Sequence, residues 1–366
     1  MDNPSNSIHP HFALQGFHYT LSELQDVAYS LIKEGDKEEQ LIGDFLMDWI
    51  SPHDSILVKT SGSTGTPKNI SLSKQAMTNS ALSTGKYFGI KEKDTALLCL
   101  SAKHIAAKMM LVRAMILGLS LDYTPPSSSP LSGLLKTYDF CAMVPLQLEK
   151  SLKDIANIKT LIVGGAPVSG ELRSKLKNLP THIFETYGMT ETCSHIAVRP
   201  LNNFDPKDAQ GSSDSFYALP GIKVAQDDRN CLQIHAPSLG VDSLTTNDVV
   251  TLISDREFKW LGRWDHVINS GGVKLYPEQI EKKLGPLVKA SFMVTGIPDK
   301  ELGEKLVLIV EGKVNKTSLR TGIEKLTDLK KYENPKEIYE VENFLRSENG
   351  KLLRKEINTM LLAQLG

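Results

Sequence analysis

The sequence predicts an α/β protein with a large N-terminal domain of parallel-rich sheets and flanking helices. Short apolar segments alternate with amphipathic segments between residues 95 and 177, a pattern typical of consecutive βαβ units. From about residue 210 the pattern changes to short strands and turns, which indicates a small β-rich subdomain. A compact α+β pattern follows Trp264-Asp265. We therefore predict a large domain at 1–264 and a small C-terminal α+β domain at 265–366.

The first 55 residues carry two helical patterns ahead of the alternating region. Apolar residues recur at helical spacing from Leu21 to Ile32 and from Glu38 to Ile50. Leu46 and Trp49 fall on the predicted inner face of the second helix. Residues 56–58 are a short apolar run that predicts a strand.

The remaining elements follow from apolar runs, Ser caps and Gly stops. We predict helices at 73–88, 105–117, 146–152, 169–177 and 277–284. We predict strands at 96–100, 119–123, 140–144, 160–163, 222–224, 232–234, 249–252, 290–294 and 306–311, and a helical C-terminus. Ligands of a parallel sheet bind beyond the carboxyl ends of its strands. Four candidate ligand-binding stretches lie beyond predicted strands in this way, at 60–68, 101–104, 164–167 and 187–192.

The composition excludes several functional classes. The chain has 366 residues, 23% of them charged, with a formal net charge of −1. There is thus no basic field for nucleic acid or an anionic membrane. The four cysteines are far apart in the sequence, which fits neither a zinc site nor a disulfide framework and indicates a reducing cytoplasm. A polar N-terminus without a signal peptide and the lack of a membrane-length apolar run predict no membrane insertion.

A segment rich in Gly, Ser and Thr follows the first predicted strand. It runs Lys59-Thr-Ser-Gly-Ser-Thr-Gly-Thr-Pro-Lys68. Unhindered backbone N–H groups, hydroxyls and a cation can converge on a phosphate. The spacing differs from the Walker A pattern, and Pro67 disfavours a helix that begins there. We predict a phosphate loop of another kind; the alternative is a flexible linker.

Three further motifs lie downstream of this loop. They are Glu185-Thr-Tyr-Gly-Met-Thr-Glu-Thr192, the run from Leu261 to Lys274 that continues into Pro277-Glu-Gln-Ile-Glu281, and Asn349-Gly-Lys-Leu-Leu-Arg-Lys355. In order, character and spacing, the four motifs resemble the adenylate-forming superfamily of acyl-CoA synthetases, peptide-synthetase adenylation domains and luciferases. The resemblance covers roughly residues 55 to 360.

Within that superfamily the chain most resembles the o-succinylbenzoate–CoA ligases of menaquinone biosynthesis. His104 is followed nine residues later by Arg113, and Ser194 follows the Thr190-Glu191-Thr192 motif. The resemblance assigns the acyl substrate to these three residues, His104, Arg113 and Ser194. A guanidinium can bind a second carboxylate bidentately, so Arg113 is the candidate for that group of a succinyl-type acid.

The resemblance also implies an ATP site. The loop would hold the β- and γ-phosphates, Gly164 and Gly165 would let the backbone approach adenine, and the ring of Tyr187 would stack on it. Asp248 and Arg263 would contact the ribose hydroxyls. The implied ATP-binding residues are Thr60, Ser61, Gly62, Ser63, Thr64, Gly65, Thr66, Lys68, Gly164, Gly165, Ala166, Pro167, Tyr187, Gly188, Asp248 and Arg263.

The implied chemistry has two steps and uses ATP, Mg²⁺ and coenzyme A. A carboxylate attacks the α-phosphate to form acyl-AMP, and the CoA thiol then displaces AMP. The resemblance makes Lys351, Thr190 and Glu191 the catalytic residues. Thr190 would bind the α-phosphate and Glu191 the Mg²⁺ ion. Lys351 would stabilise the charge that develops during attack on phosphorus.

The resemblance further implies that the small C-terminal domain is mobile. It would swing about Asp265 between the two steps. The CoA arm would then pass the loop that contains Gly271, Gly272 and Lys274, where the two glycines leave room for it. His266, beside the hinge, is predicted to be structural.

The chain departs from the family pattern in three places. Only 59 residues precede Thr60, where relatives carry a further subdomain; either this region is reduced or homodimer contacts supply what is missing. Ser101-Ala102-Lys103 stand before His104 where the family has Pro and an aromatic residue. Residues 346–348, Arg-Ser-Glu, stand where the family often has Pro-Arg-Thr.

Other interpretations stay open from the sequence. The chain could adenylate another aryl or acyl acid, with CoA or a carrier-protein thiol as acceptor, or be a non-catalytic nucleotide-binding descendant. Single residues also have structural alternatives: Tyr187 as core beside a turn, Asp248 as an exposed loop acid, His104 as a capping or core histidine, Arg113 on a helix surface, and Lys351 as a solvated charge.

Overall fold

The computed structural model describes residues 8–59, 68–203, 214–346 and 352–365. The helices are α1 (Leu21–Glu34), α2 (Lys37–Ile50), α3 (Lys74–Phe88), α4 (Ile105–Leu117), α5 (Pro145–Lys150), α6 (Gly170–Leu176), α7 (Pro277–Leu284), α8 (Lys316–Glu324) and α9 (Arg354–Leu365). The strands are β1 (Ala13–Leu14), β2 (Phe17–His18), β3 (Ser55–Lys59), β4 (Asn69–Ser73), β5 (Thr95–Leu98), β6 (Ser120–Tyr123), β7 (Tyr138–Met143), β8 (Ile158–Val163), β9 (His182–Gly188), β10 (His195–Pro200), β11 (Phe216–Ala218), β12 (Lys223–Gln226), β13 (Cys231–Ala236), β14 (Val241–Ser254), β15 (Glu257–Arg263), β16 (Ile268–Ser270), β17 (Val273–Leu275), β18 (Phe292–Asp299), β19 (Gly303–Glu311) and β20 (Glu337–Val341).

Thirteen strands of the described part of the chain form one long sheet, in the order β12-β13-β14-β15-β11-β10-β9-β8-β7-β5-β6-β1-β2. The strands from β9 to β6 pair in parallel, and β1 joins β6 in parallel. The strands beyond β9 pair antiparallel. The predicted α/β fold class is confirmed. The β-rich part continues the parallel part edge to edge through β10 and β11.

The N-terminal helices α1 and α2 form a capped pair that packs on α4. Thr20 and Asp36 each accept a hydrogen bond from the first turn of the helix they precede, in complete capping boxes. Leu46 and Trp49 are fully buried, as predicted, in a core shared with Met109 of α4. The short region ahead of β3 thus supports the helix that carries Arg113.

The residues after 264 build a second sheet in the order β17-β16-β19-β18, with β20 parallel to β19. Helix α7 has the predicted bounds, because Pro277 opens it and its apolar residues Ile280 and Leu284 face this sheet's core. Gln279 of α7 donates hydrogen bonds to the carbonyls of Trp260 (3.1 Å) and Leu261 (2.9 Å) in β15.

Within the described ranges, we find no helix with the combination of length and apolar character needed to traverse a bilayer. All four cysteines are buried free thiols. Cys99 and Cys141 lie with their Sγ atoms 3.9 Å apart and unbonded.

Candidate active site

One predicted catalytic residue and most of the predicted phosphate loop lie outside the described residues. These are Lys351 and the core of the phosphate loop, Thr60, Ser61, Gly62, Ser63, Thr64, Gly65 and Thr66. Lys59 and Asn69, on either side of that loop, are paired across the antiparallel strands β3 and β4. Lys68 is exposed and directly precedes β4.

The segment Gly164-Gly165-Ala166-Pro167 follows the carboxyl end of β8, as predicted. The Gly164 N–H donates to the carbonyl of Met143, 3.1 Å away. A Cβ at Gly164 would lie 2.4 Å from Oγ1 of Thr186 in β9, and Gly165 has a φ of +82°. Glycine is therefore required at both positions, by close approach at the first and by backbone conformation at the second. Residues 165–167 are exposed, so their backbone is open to a ligand.

Asp248 is the centre of a hydrogen-bonded group on β9, β14 and β15. It is 8% exposed. Its Oδ2 accepts a hydrogen bond of 2.7 Å from the Tyr187 hydroxyl, and its Oδ1 accepts one of 3.1 Å from Nε1 of Trp260. The Nη1 atom of Arg263 lies 3.9 Å from Oδ1. The predicted pair Asp248 and Arg263 therefore lies together, and Asp248 is not the exposed loop acid of the alternative interpretation.

Trp260 was missed by the sequence analysis. In a regular strand, residues 260 and 263 would point to opposite faces. Between Val249 and Val250 the register of β14 and β15 shifts, so Asp248 faces Arg263 while Val250 faces Trp260. This bulge brings Trp260 to the same face as Asp248 and Arg263. No local sequence signal marks it.

Tyr187 is half-buried and packs against two aromatic rings. Its ring centroid lies 5.3 Å from that of Phe258, edge to face, and 5.8 Å from that of Phe216. Burial, and then the Asp248 carboxylate, raise the pKa of its hydroxyl well above the ordinary value. Tyr187 therefore stays a neutral donor to Asp248. The stacking of its ring on adenine stays a prediction.

The turn from Thr190 to Thr192 presents Glu191 to solvent. The turn is a single 3₁₀ turn, and buried Cys193 ends it with a φ of +61°, an uncommon conformation for a residue with a side chain. The exposed Glu191 carboxylate makes no hydrogen bond or ion pair with any residue that the structure describes. An exposed carboxylate without a protein cation fits a hard divalent ion such as Mg²⁺, which takes one or two carboxylates plus substrate phosphates.

Arg113 is 1% exposed and lies in the protein interior, so a place on the helix surface is wrong. Its Nη2 donates to Oγ of Ser194 (2.8 Å) and contacts Nδ1 of His195 (3.3 Å). Its Nε donates to Oγ1 of Thr84. No carboxylate of a described residue pairs with it, and burial lowers its pKa to about 9. Within the described part of the chain, the guanidinium is therefore a buried cation without an anionic partner.

A cluster of aromatic rings lies beside His195, whose Nδ1 contacts Arg113. The ring of Phe88 lies 5.1 Å from that of Phe184, 5.8 Å from that of Phe140 and 6.5 Å from that of His195, centroid to centroid. Tyr87 packs edge-on against Phe88 at 4.9 Å. A region that combines a buried cation with aromatic walls fits an aromatic ligand that carries an anionic group.

His104 is not brought to Arg113. It occupies the N-cap position of α4, is exposed, and makes no side-chain cap hydrogen bond. Neither of its structural alternatives, a core or a capping histidine, therefore describes it. Nine residues of helix separate it from Arg113, about 13 Å along the axis. Of the predicted acyl residues, the structure places Arg113 and Ser194 in contact.

The predicted hinge and CoA residues lie beyond β15. Asp265 Oδ2 pairs with Nη2 of Arg263 at 3.2 Å. Gly271 and Gly272 form the turn between β16 and β17, with φ values of +57° and +79°. Lys274 places its Nζ 4.9 Å from the ring centroid of Trp264. His266 pairs with Glu278 at 2.6 Å, a contact consistent with its predicted structural role.

The model of the AMP-binding enzyme family matches residues 18–236 of this sequence. The chain belongs to the AMP-binding enzyme family. The predicted resemblance to the adenylate-forming enzymes is thereby confirmed. The individual roles assigned to Gly188, Asp248 and the other site residues remain predictions.

Among curated relatives, the chain is similar to the 2-succinylbenzoate–CoA ligase of Listeria monocytogenes, with 27% identity over 90% of this chain and 74% of that protein. It is also similar to the Bacillus subtilis enzyme of the same name, with 25% identity over 89% of this chain and 72% of that protein.

Among solved structures, the acyl-CoA synthetase (AMP-forming)/AMP-acid ligase II-like protein from Dyadobacter fermentans is 33% identical. The match covers 92% of this chain and 98% of that one, with a TM-score of 0.60. The o-succinylbenzoate CoA synthetase from Bacillus subtilis, in complex with the acyl-adenylate intermediate, shares the fold with a TM-score of 0.71 and 23% identity over 82% of this chain and 68% of that one.

Proposed function

We propose that this AMP-binding enzyme is an AMP-forming acid–CoA ligase that converts 2-succinylbenzoate to its CoA thioester. The observation that carries the substrate assignment is Arg113, a buried guanidinium with no carboxylate partner in the described part of the chain. The names of the relatives agree with it. A buried cation without an anion is costly, and a second carboxylate on an aromatic acid supplies that anion.

In the first step, an oxygen of the substrate carboxylate attacks the α-phosphorus of ATP. The bond between the α-phosphorus and the bridging oxygen of pyrophosphate breaks, and acyl-AMP forms. Asp248, fixed by Tyr187 and Trp260, accepts hydrogen bonds from the ribose with its remaining lone pairs, and Arg263 lies beside it. Glu191 would hold Mg²⁺ together with the phosphates, and the ion would supply positive charge to the pyrophosphate leaving group. Lys351 and Thr190 hold the α-phosphate.

In the second step, the sulfur of CoA attacks the acyl carbonyl carbon. The carbon–oxygen bond to AMP breaks, AMP leaves with the electron pair, and the thiol proton passes to solvent. We propose that 1–264 and 265–366 are separate domains. The C-terminal domain would rotate as a rigid body about Asp265 between the two steps. Gly271 and Gly272 border the CoA arm, because a Cβ at Gly272 would meet nothing within 4 Å, and Lys274 lies beside them.

We further propose that the enzyme works in the cytoplasm as a homodimer. Free thiols 3.9 Å apart at Cys99 and Cys141 support a reducing compartment. Phe17, Leu21 and Tyr29 expose apolar surface on the N-terminal region, where a second copy would cover them. Light scattering after size exclusion measures the mass in solution; a monomer throughout the micromolar range contradicts the dimer.

The test of the activity is ATP–pyrophosphate exchange over a panel of carboxylic acids, followed by detection of AMP and thioester after CoA is added. We expect exchange with 2-succinylbenzoate above that with benzoate or succinate. Exchange with a different acid, or a thioester only with a carrier protein, would identify another adenylating enzyme. No exchange with any acid, despite nucleotide binding, would identify a non-catalytic descendant.

Lys351 is tested by Lys351→Ala, with Lys355→Ala as the matched control because Lys355 is an exposed lysine four residues away. We expect the first variant to lose at least about a hundredfold in adenylation rate and the second to stay within about twofold. Unchanged adenylation in Lys351→Ala would show that Lys351 is misassigned.

A further inference from the structure

A buried hydrogen-bond donor that has no partner among the described residues lies beside Arg113. The side chain belongs to His195, the first residue of β10, which is 6% exposed. Its Nε2 atom is buried and makes no hydrogen bond within the described residues. Buried polar atoms of native proteins are nearly always paired, and an exception calls for a ligand or a water.

The contact with Arg113 determines which ring nitrogen carries the proton. Nη2 of Arg113 lies 3.3 Å from Nδ1 of His195. A guanidinium has only donors, so Nδ1 is the acceptor and the neutral ring carries its proton on Nε2. Burial, and then the charge of Arg113, lower the pKa of His195 well below its ordinary value. The ring is therefore neutral at pH 7, and its Nε2–H has no acceptor among the residues that the structure describes.

We propose that Nε2–H of His195 donates a hydrogen bond to the second carboxylate of the acid substrate, the one that is not activated. This inference rests on the proposed function. Nδ1 and Nε2 of one ring are about 2 Å apart, so Nε2 lies within about 6 Å of Nη2 of Arg113. A single carboxylate at this end of the site meets both groups: one oxygen accepts from the guanidinium and the other from the imidazole. His195 thus determines specificity for dicarboxylic acids.

The competing role for His195 is purely positional. His195 also orients Arg113 through Nδ1. That orientation alone would make acid binding depend on His195. Two amide variants separate these roles. His195→Asn keeps a polar group near the position of Nδ1 and leaves nothing at Nε2. His195→Gln extends its amide to the position of Nε2 and can donate there.

The experiment measures the KM for 2-succinylbenzoate, the KM for ATP and kcat by pyrophosphate exchange, for wild type and both variants. His182→Asn, an exposed histidine on the neighbouring strand β9, is the matched control. We expect His195→Asn to raise the KM for the acid at least about tenfold without changing the KM for ATP. We expect His195→Gln to stay within about threefold of wild type.

A ligand comparison keeps the test valid if the variants are less stable. 2-Butanoylbenzoate and 4-oxo-4-phenylbutanoate each lack one carboxylate of 2-succinylbenzoate, and the analogue that still reacts lacks the one bound by His195. Wild type and His195→Asn should have the same KM for that analogue within about twofold. A tenfold difference there, or His195→Asn equal to wild type for 2-succinylbenzoate, overturns the role of His195. A wild-type enzyme that does not adenylate 2-succinylbenzoate overturns the proposed function itself.

Discussion

The hydroxyl of Tyr187 donates a 2.7 Å hydrogen bond to the carboxylate of Asp248, 61 residues later in the chain. This contact joins the parallel strands, through β9, to the antiparallel part of the sheet, through β14. Tyr187, which is predicted to stack on adenine, and Asp248, which is predicted to bind the ribose, therefore form one hydrogen-bonded unit.

Removal of that hydroxyl in Tyr187→Phe should weaken ATP binding. The ring stays in place against Phe258 and Phe216, but Asp248 loses one of the two side-chain donors that the described residues give it. The loss of a hydrogen bond to a charged group costs about 1.5–3 kcal/mol, so we expect a KM for ATP about tenfold higher or more, with the KM for the acid unchanged. The control is Tyr29→Phe, because Tyr29 is 58% exposed on α1. An equal rise in the KM for ATP and the KM for the acid would show instead that Tyr187 contributes to the stability of the whole protein.

Trp260 should report nucleotide binding by fluorescence. Its Nε1 donates to Oδ1 of Asp248, and ribose hydroxyls that reach this carboxylate change the environment of the indole. We expect ATP to shift or quench tryptophan emission, and Trp260→Phe to remove most of that change. Trp49, which is fully buried in the N-terminal core, is the control in Trp49→Phe. An ATP signal that survives in Trp260→Phe would contradict the placement of the nucleotide beside Asp248.

Arg113→Met should stabilise the ligand-free protein while abolishing acid binding. Among the described residues, the buried guanidinium has the neutral partners Thr84, Ser194 and His195 and no carboxylate, so none of them offsets its desolvation with a negative charge. Replacement with an apolar side chain of similar length removes a cost of about 1–2 kcal/mol. Urea unfolding measures the gain, and the acid should no longer raise the melting temperature of the variant. A clear loss of stability would make Arg113 a structural contact.

Acid pH should destabilise the protein partly through His195. Burial lowers the pKa of His195 below the ordinary value of 6.5, and Arg113 faces its Nδ1. Below pH 6.5 the His195 ring binds a proton in the unfolded chain but not in the folded chain. The contribution of His195 to stability is therefore present above pH 6.5 and is lost as the pH falls. The expected slope approaches 1.4 kcal/mol per pH unit. Unfolding free energies at pH 7.5, 6.0 and 5.0 should fall less steeply in His195→Gln; parallel curves would contradict the buried neutral ring.

Glu38→Gln tests whether the N-terminal helix pair shapes the loop before α4. The carboxylate of Glu38 accepts hydrogen bonds from Oγ of Ser101 and from the N–H of Ala102. A neutral amide weakens both bonds, by about 1–2 kcal/mol in total. We expect lower stability and a higher KM for the acid, with the KM for ATP unchanged. Glu34→Gln, at the end of α1, is the control. Lower stability with an unchanged KM for the acid would show that Glu38 stabilises the fold without shaping the acid site.

Local sequence signals predicted much of the fold. The apolar spacing placed α2 within one residue of its observed start, and Pro277 and Leu284 bound α7 as predicted. Such features depend on neighbours in the chain, whose hydrogen bonds and side-chain spacing are read directly from the sequence. The family resemblance also assigned Asp248 and Arg263 to the ribose, and the antiparallel register of β14 and β15 places these two residues opposite each other.

The partners of the site residues needed the tertiary structure. A register shift places Trp260 on the Asp248 side of β15, where alternation predicts the opposite face. His195 meets Arg113 across 82 residues, because the sheet brings the first residue of β10 to the buried face of α4. His104, on the same helix as Arg113, lies too far along its axis to join them. Motifs and spacing determined the family and the elements, whereas burial and long-range register decided which charges are paired, since these depend on residues far apart in the chain.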